Sequence, residues 1–192
     1  MTLNLRLTGR SRFVLLLVLI IIMMISCKRD FDKPENPPLI TNDEEIITTF
    51  SITFQDSSSI QPEQTFRFMD IDGDGGNPPN VFDTIRLQSH SVYFASILLL
   101  NETLFPVDTI SNEVLNEGVN HLFCFNHTGV SLEIIRTDTD GNYEIGLASK
   151  WTTNEVGEGF VTITLRHQPG IKNGSCDPGD TDIEISFPYI IN

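Results

Sequence analysis

TDIEISFPYII, residues 181–191, sets Ile183, Ile185, Phe187, Tyr189 and Ile191 on one side of an extended chain and Asp182, Glu184 and Ser186 on the other. Successive side chains of a strand point to opposite faces, so this period of two reads as a strand with one face against a core. Phe160–His167 repeats the pattern, with Val161, Ile163 and Leu165 inward and Thr162, Thr164 and Arg166 outward. Working back along the chain, Asn142–Trp151 alternates Tyr143, Ile145, Leu147, Ser149 and Trp151 against Glu144, Gly146, Ala148 and Lys150. His121–Phe125 and Val130–Thr137 read as a pair of strands across Asn126-His127-Thr128-Gly129. Val92–Leu100 is almost continuously apolar, as in a strand buried on both faces. Val81–Gln88 and Gln64–Met69 follow, and Glu45–Phe54 places Ile46, Phe50, Ile52 and Phe54 on one face. One helical turn is expected at Ser111-Asn112-Glu113-Val114, with Ser111 as its N-cap.

About eight or nine short strands, separated by turn signals such as Asp140-Gly141, Gly157-Glu158-Gly159 and Asn173-Gly174, predict an all-β fold. The expectation is a single antiparallel, Ig-like β-sandwich over residues 45–192. No helical pattern alternates with the strands, which argues against a doubly wound α/β fold.

Upstream of this domain the chain changes character. Arg6, Arg10 and Arg12 precede an apolar run of 13 residues, Phe13 to Ile25, and then Ser26-Cys27. A basic start, a short apolar core and a small residue at the junction read as a secretory signal. Thirteen helical residues span roughly 20 Å, short of the ~30 Å hydrocarbon core, which disfavours a membrane-spanning helix. Met24-Ile25-Ser26-Cys27 resembles the lipobox of bacterial lipoproteins, with Met where Leu is commonest. That resemblance implies cleavage before Cys27 and lipidation of its thiol. The alternatives are a signal cut without lipidation and an uncut anchor. Residues 1–26 are therefore read as a lipoprotein signal peptide. Residues 27–44, charged and Pro-rich, are read as the lipidated cysteine and a flexible tether.

Without the signal, 9 basic residues face 26 acidic ones, a formal charge of −17. This argues against a nucleic-acid partner, because a phosphate backbone demands a basic footprint. With Cys27 lipidated, Cys124 and Cys176 remain as an even pair. In an oxidising compartment they can join and close a loop of about 50 residues, worth roughly 4 kcal/mol. The alternative is two free thiols with Cys124 packed in a strand.

Six stretches carry a further resemblance: EEIITTFSITF (44–54), FRFMDIDGDGGNPPN (66–80), LLLNETLFPVDTI (98–110), TDTDGNYEIGL (137–147), GFVTITLRHQPGIKNG (159–174) and GDTDIEISF (179–187). Together they resemble a family of small predicted lipoproteins from the Bacteroidota. The family implies no catalytic residue. Some of its members are described as having a type 1 periplasmic-binding fold, which needs repeated βα units that this pattern lacks. The resemblance implies an outer-membrane lipoprotein facing either the periplasm or the cell surface. Lys28-Arg29-Asp30 only partly matches the acidic signal that follows the cysteine in surface-displayed members.

For chemistry, Asp70-Ile71-Asp72-Gly73-Asp74-Gly75 is the candidate cation site. Alternate carboxylates of Asp70, Asp72 and Asp74 in a Gly-rich turn suit Ca²⁺, a hard ion that takes six to eight oxygens. The spacing starts like an EF-hand loop, but its twelfth position is Val81 and the flanking helices are missing, so Asp83 or a distant Asp would complete the shell. The competing reading is a polar turn that uses Asp and Gly for their backbone preferences. Asp138, Asp140, Asp177, Asp180 and Asp182 form two further acidic stretches. His90, His121, His127 and His167 show no zinc motif and read as surface or strand histidines. No catalytic motif stands out, so a non-enzymatic structural or interaction module is expected. The alternative is a lipoprotein that captures a glycan or small molecule, with Tyr93, Trp151 and Tyr189 as its candidate aromatic platform.

Overall fold

The structure, a computed structural model, describes residues 45–192 except 74, 75 and 131. The expected signal peptide (1–26), Cys27 and the expected tether, as well as Asp74, lie outside the described residues. The described elements are β1 (Thr49–Asp56), β2 (Gln64–Met69), β3 (Val81–Phe82), β4 (Ile85–Leu87), β5 (Val92–Leu100), α1 (Ile110–Asn116), a 3-10 turn (Gly118–Asn120), β6 (His121–Gly129), β7 (Leu132–Arg136), β8 (Ala148–Thr153), β9 (Gly157–His167) and β10 (Asp180–Ile191).

The strands form a β-sandwich. One sheet runs β3-β2-β1-β5-β8-β7 and the other β4-β10-β9-β6. Phe50 of β1 meets Phe123 of β6 and Phe187 of β10, and Phe125 of β6 meets Trp151 of β8, so aromatic rings join the two inner faces. Around them Ile52, Phe54, Leu99, Val161, Ile163, Leu165 and Ile185 are buried. Full burial of each such side chain contributes about 1.5–3 kcal/mol.

The 181–191 alternation becomes the central strand β10, with Ile185, Phe187, Tyr189 and Ile191 buried. Pro188 is tolerated there because β4 begins pairing only at Tyr189, so the missing N–H falls before β4 starts. That β4–β10 pair is parallel, a departure from the all-antiparallel expectation.

Several elements differ from their sequence expectation. Val81–Gln88 divides into β3 and β4, which belong to different sheets. The corner is Asp83, whose N–H donates to Arg67 O while its carboxylate accepts the Arg67 N–H. The carboxylate thus replaces a ladder acceptor at the point where the strand leaves the sheet. β5 is buried on one face only: Tyr93, Ala95, Ile97 and Leu99 point inward, and Phe94 and Leu98 are exposed. β6 does not turn at Asn126–Gly129. It runs on to Gly129 along β9, and β7 pairs with β8 in the other sheet. Asn142–Trp151 becomes strand only from Ala148, because Ile145 folds over Gly118 and gives its carbonyl to the Phe123 N–H. Ile46 lies outside β1 and is exposed.

Helix α1 begins one residue before the expected cap. Thr109 takes the N-cap position without a side-chain bond, and the buried Ser111 hydroxyl instead accepts the Leu99 N–H.

Candidate functional site

Cys124 and Cys176 form a disulfide, with an S–S distance of 2.00 Å and Cα atoms 6.0 Å apart. It ties edge strand β6 to the loop between β9 and β10. Arg136 packs beside it, donating from Nε to Phe123 O and placing Nη2 3.4 Å from Cys176 Sγ. In the same loop, buried Gln168 donates to Ser175 O and Pro178 O, both at 2.8 Å. Among the described residues no helix is long and apolar enough to cross a membrane.

The ends of β6, β9 and β10 bring three side chains together. His121 opens β6 and is the direct cross-strand partner of His167, the last residue of β9. Both follow the inward parity of Phe123 and Leu165, so their rings stack, with centroids 4.8 Å apart and planes 12° from parallel. The β9–β10 register shifts between Thr181 and Ile183. A bulge leaves one residue outside the ladder and re-aims its side chain. That residue is Asp182, which strict alternation places on the outer face. Its carboxylate lies 3.8 Å from His121 Nε2 and 4.0 Å from His167 Nδ1. His121 and Asp182 side chains are 2% and 3% exposed, and His167 is 13% exposed.

His121 Nδ1 lies 3.1 Å from Glu117 O. A carbonyl only accepts, so Nδ1 carries the proton and the Nε2 lone pair of the neutral ring faces Asp182. Burial is the largest cause lowering the His121 pKa, and the nearby Lys172 acts in the same direction, while the Glu117 hydrogen bond opposes them. Among the described residues this trio is the group of His, Cys, Asp or Glu side chains close enough to share one ion, its donor atoms lying within 4.8 Å of one another.

Asp182 also lines a cleft of about 510 Å³ with Glu45, Asp70, Gly73 and Glu184. Two of the three acidic stretches therefore meet there. Glu45 is pushed up to about 7, first by burial and then by Glu113, Asp182, Glu117 and Asp108. The second acidic stretch is engaged elsewhere: Asp140 Oδ2 accepts from Lys172 Nζ at 2.8 Å, with both side chains buried, and the same ammonium donates to Gly118 O. Against a desolvation that raises it, Lys172 and the Tyr143 and Asn142 amides hold the Asp140 carboxyl down at about 2. Asp177 accepts from the Ser175 hydroxyl, and Asp180 is exposed.

In the loop from Asp70, Asp70 Oδ1 accepts the Gly73 N–H at 3.2 Å, and Asp72 Oδ2 accepts the Asn77 backbone and side-chain N–H groups at 2.9 and 2.8 Å. These are the bonds of a polar turn. Asp83, the expected helper, is committed to Arg67. Tyr93, Trp151 and Tyr189 are buried in the core, so they form no surface platform. The Tyr189 hydroxyl instead bonds to Thr128 O and Val130 O. A second cleft, about 580 Å³, lies among Asp56, Gln61, Pro62, Gln64, Gln88 and Ser91, with the edge of Tyr93 at its wall, and holds no histidine or cysteine.

No protein-family model, curated protein or solved structure matches the chain.

Proposed function

We propose that this chain is an exported lipoprotein of the cell envelope, anchored through Cys27, whose β-sandwich is a non-enzymatic structural or interaction module. The observation that supports it best is the Cys124–Cys176 disulfide. A disulfide persists in oxidising compartments outside the cytosol. It also accounts for both domain cysteines and leaves Cys27 as the one cysteine free for another chemistry. Two acyl chains hold a protein stably, at ~0.8 kcal/mol per buried methylene, so no membrane-spanning helix is required. Capture of a glycan or small molecule is the alternative, and it needs a surface other than Tyr93, Trp151 and Tyr189.

Replacing Cys27 with Ser tests the reading. In cells fed a labelled fatty acid, the unmodified chain takes up label and sediments with membranes. The Cys27→Ser chain is expected to lose the label and leave the membrane fraction. Retained label in the variant would reject the anchor.

A further inference from the structure

We propose that His121, His167 and Asp182 form a binding site for a first-row divalent transition metal of the Zn²⁺ class.

Three observations carry this. The donors are two imidazole nitrogens and one carboxylate, a set that suits zinc and related ions and not Ca²⁺, which takes oxygen ligands. Their spacing is wrong for direct hydrogen bonds and right for a shared ion. At 3.8 and 4.0 Å, Asp182 is beyond hydrogen-bond reach of either nitrogen. Two bonds of 2.0–2.1 Å meeting at a tetrahedral centre hold their donors about 3.3 Å apart, so closure takes roughly half an ångström between Asp182 and each histidine and up to about 1.5 Å for the widest pair of donors, which lie within 4.8 Å of one another. Finally, the trio is built in. Adjacent strands β6, β9 and β10 supply one donor each, and cross-strand pairing and a bulge fix their places. Sites on strands are held more tightly than sites on loops.

The orientation of His121 strengthens the case. Its Nδ1 proton goes to Glu117 O, the outer contact that metal-bound histidines usually make, and this turns the Nε2 lone pair toward the Asp182 carboxylate. A divalent ion between that lone pair and the carboxylate is held by both. The rings are nearly parallel, so an ion taking a lone pair from each draws them apart by a rotation about χ2. The cleft lined by Glu45, Asp70 and Asp182 gives an approach from solvent, and its carboxylates attract a cation. With three protein donors, a fourth position is left for water or a ligand from that cleft.

The test uses the full chain, purified without a histidine tag and stripped with EDTA. It is titrated by calorimetry with Zn²⁺ and separately with Ca²⁺, and its melting temperature is followed. One equivalent of Zn²⁺ is expected to bind and raise the melting temperature, with Ca²⁺ doing neither. His167→Gln and Asp182→Asn are each expected to weaken zinc by more than about 100-fold. His90→Gln, on an exposed turn, is expected to bind as the parent does. Co²⁺ on the unmodified chain, which needs no variant to fold, is expected to give the intense visible bands of a low-coordinate nitrogen-ligated centre. Absence of zinc heat would overturn the proposal. So would unchanged zinc binding in both site variants, or a weak Co²⁺ spectrum of the fully hydrated type.

Discussion

Glu45 is the residue at which pH acts most visibly on this fold. Its carboxyl is raised from 4.5 to about 7, by burial first and then by Glu113, Asp182, Glu117 and Asp108. The folded chain therefore keeps a proton there that the unfolded chain releases. Stability from this group is complete below the unfolded pKa and is lost as pH rises through about 7. Halved because the group is partly exposed, the shift corresponds to about 1–2 kcal/mol. Glu45→Gln removes the loss: with EDTA present, urea melts at about pH 8 should show the variant more stable by that amount, and those at about pH 4 no difference. Asp140 behaves in the opposite sense. Its carboxyl is held at about 2, so its contribution is present above the ordinary carboxylate range and lost only as pH falls through that value. Lys172→Met leaves Asp140 buried without its cation, and chemical melts at neutral pH should show a loss of about 3 kcal/mol. Both ionisable residues of that pair were visible in the sequence, but 32 positions separate them and no local pattern couples them. Asp182 was hidden for another reason. Alternation places it with Glu184 on the outer face, and only the bulge after Thr181 turns it toward the two histidines.

At the scale of elements, strand β6 carries the most constraint. It is an edge strand, and unpaired edges invite association with other chains. Here its start is covered: the Phe123 N–H meets Ile145 O, Arg136 bonds Phe123 O, and Cys124 is bridged to Cys176. Removing the bridge with Cys124→Ala and Cys176→Ala together should cost about 4 kcal/mol in reversible urea melts, since a loop with a sequence separation of 52 is released. At the other end of β6, Gly129 pairs with Gly159 beneath the Tyr189 hydroxyl. A Cβ at position 159 would lie 2.0 Å from Thr128 O and 2.8 Å from Tyr189 Oη, so Gly159→Ala should lose about 3 kcal/mol by the same measurement. Strands whose apolar residues strictly alternate were legible residue by residue: β9, and β10 beyond the bulge at Asp182, keep the faces that their sequences assign. Those that mislead do so through tertiary partners. Val81–Gln88 has a single strand's pattern, yet the Asp83 carboxylate substitutes for backbone at the corner and sends its halves to different sheets. β6 carries turn-like Asn126-His127-Thr128-Gly129, yet the ladder to β9 holds it extended.

Over the whole molecule, the two-sheet architecture follows from period-two patterning with almost no helical stretch. Most of the inter-sheet core comes from inward residues those patterns name, although Ile46 and Tyr143 are exposed and Ile110 and Val114 of α1 join it. Function is less legible because the chemistry-bearing residues come together only through register. His121 and His167 are 46 positions apart in sequence and adjacent in the sheet. With 21 acidic and 6 basic residues, the 45–192 domain has a charge that favours solubility and disfavours contact with anionic lipid. We propose that this sandwich is an exported domain held by one lipidated cysteine and closed by one disulfide. Intact mass spectrometry of the chain extracted from membranes without reductant, after alkylation of free thiols, tests it most directly. The predicted result is a chain beginning at Cys27, carrying the mass of a diacylglycerol and two hydrogens lighter than its reduced form, with no alkylated thiol. A chain beginning elsewhere, an unmodified Cys27, or alkylation at Cys124 and Cys176 would contradict it.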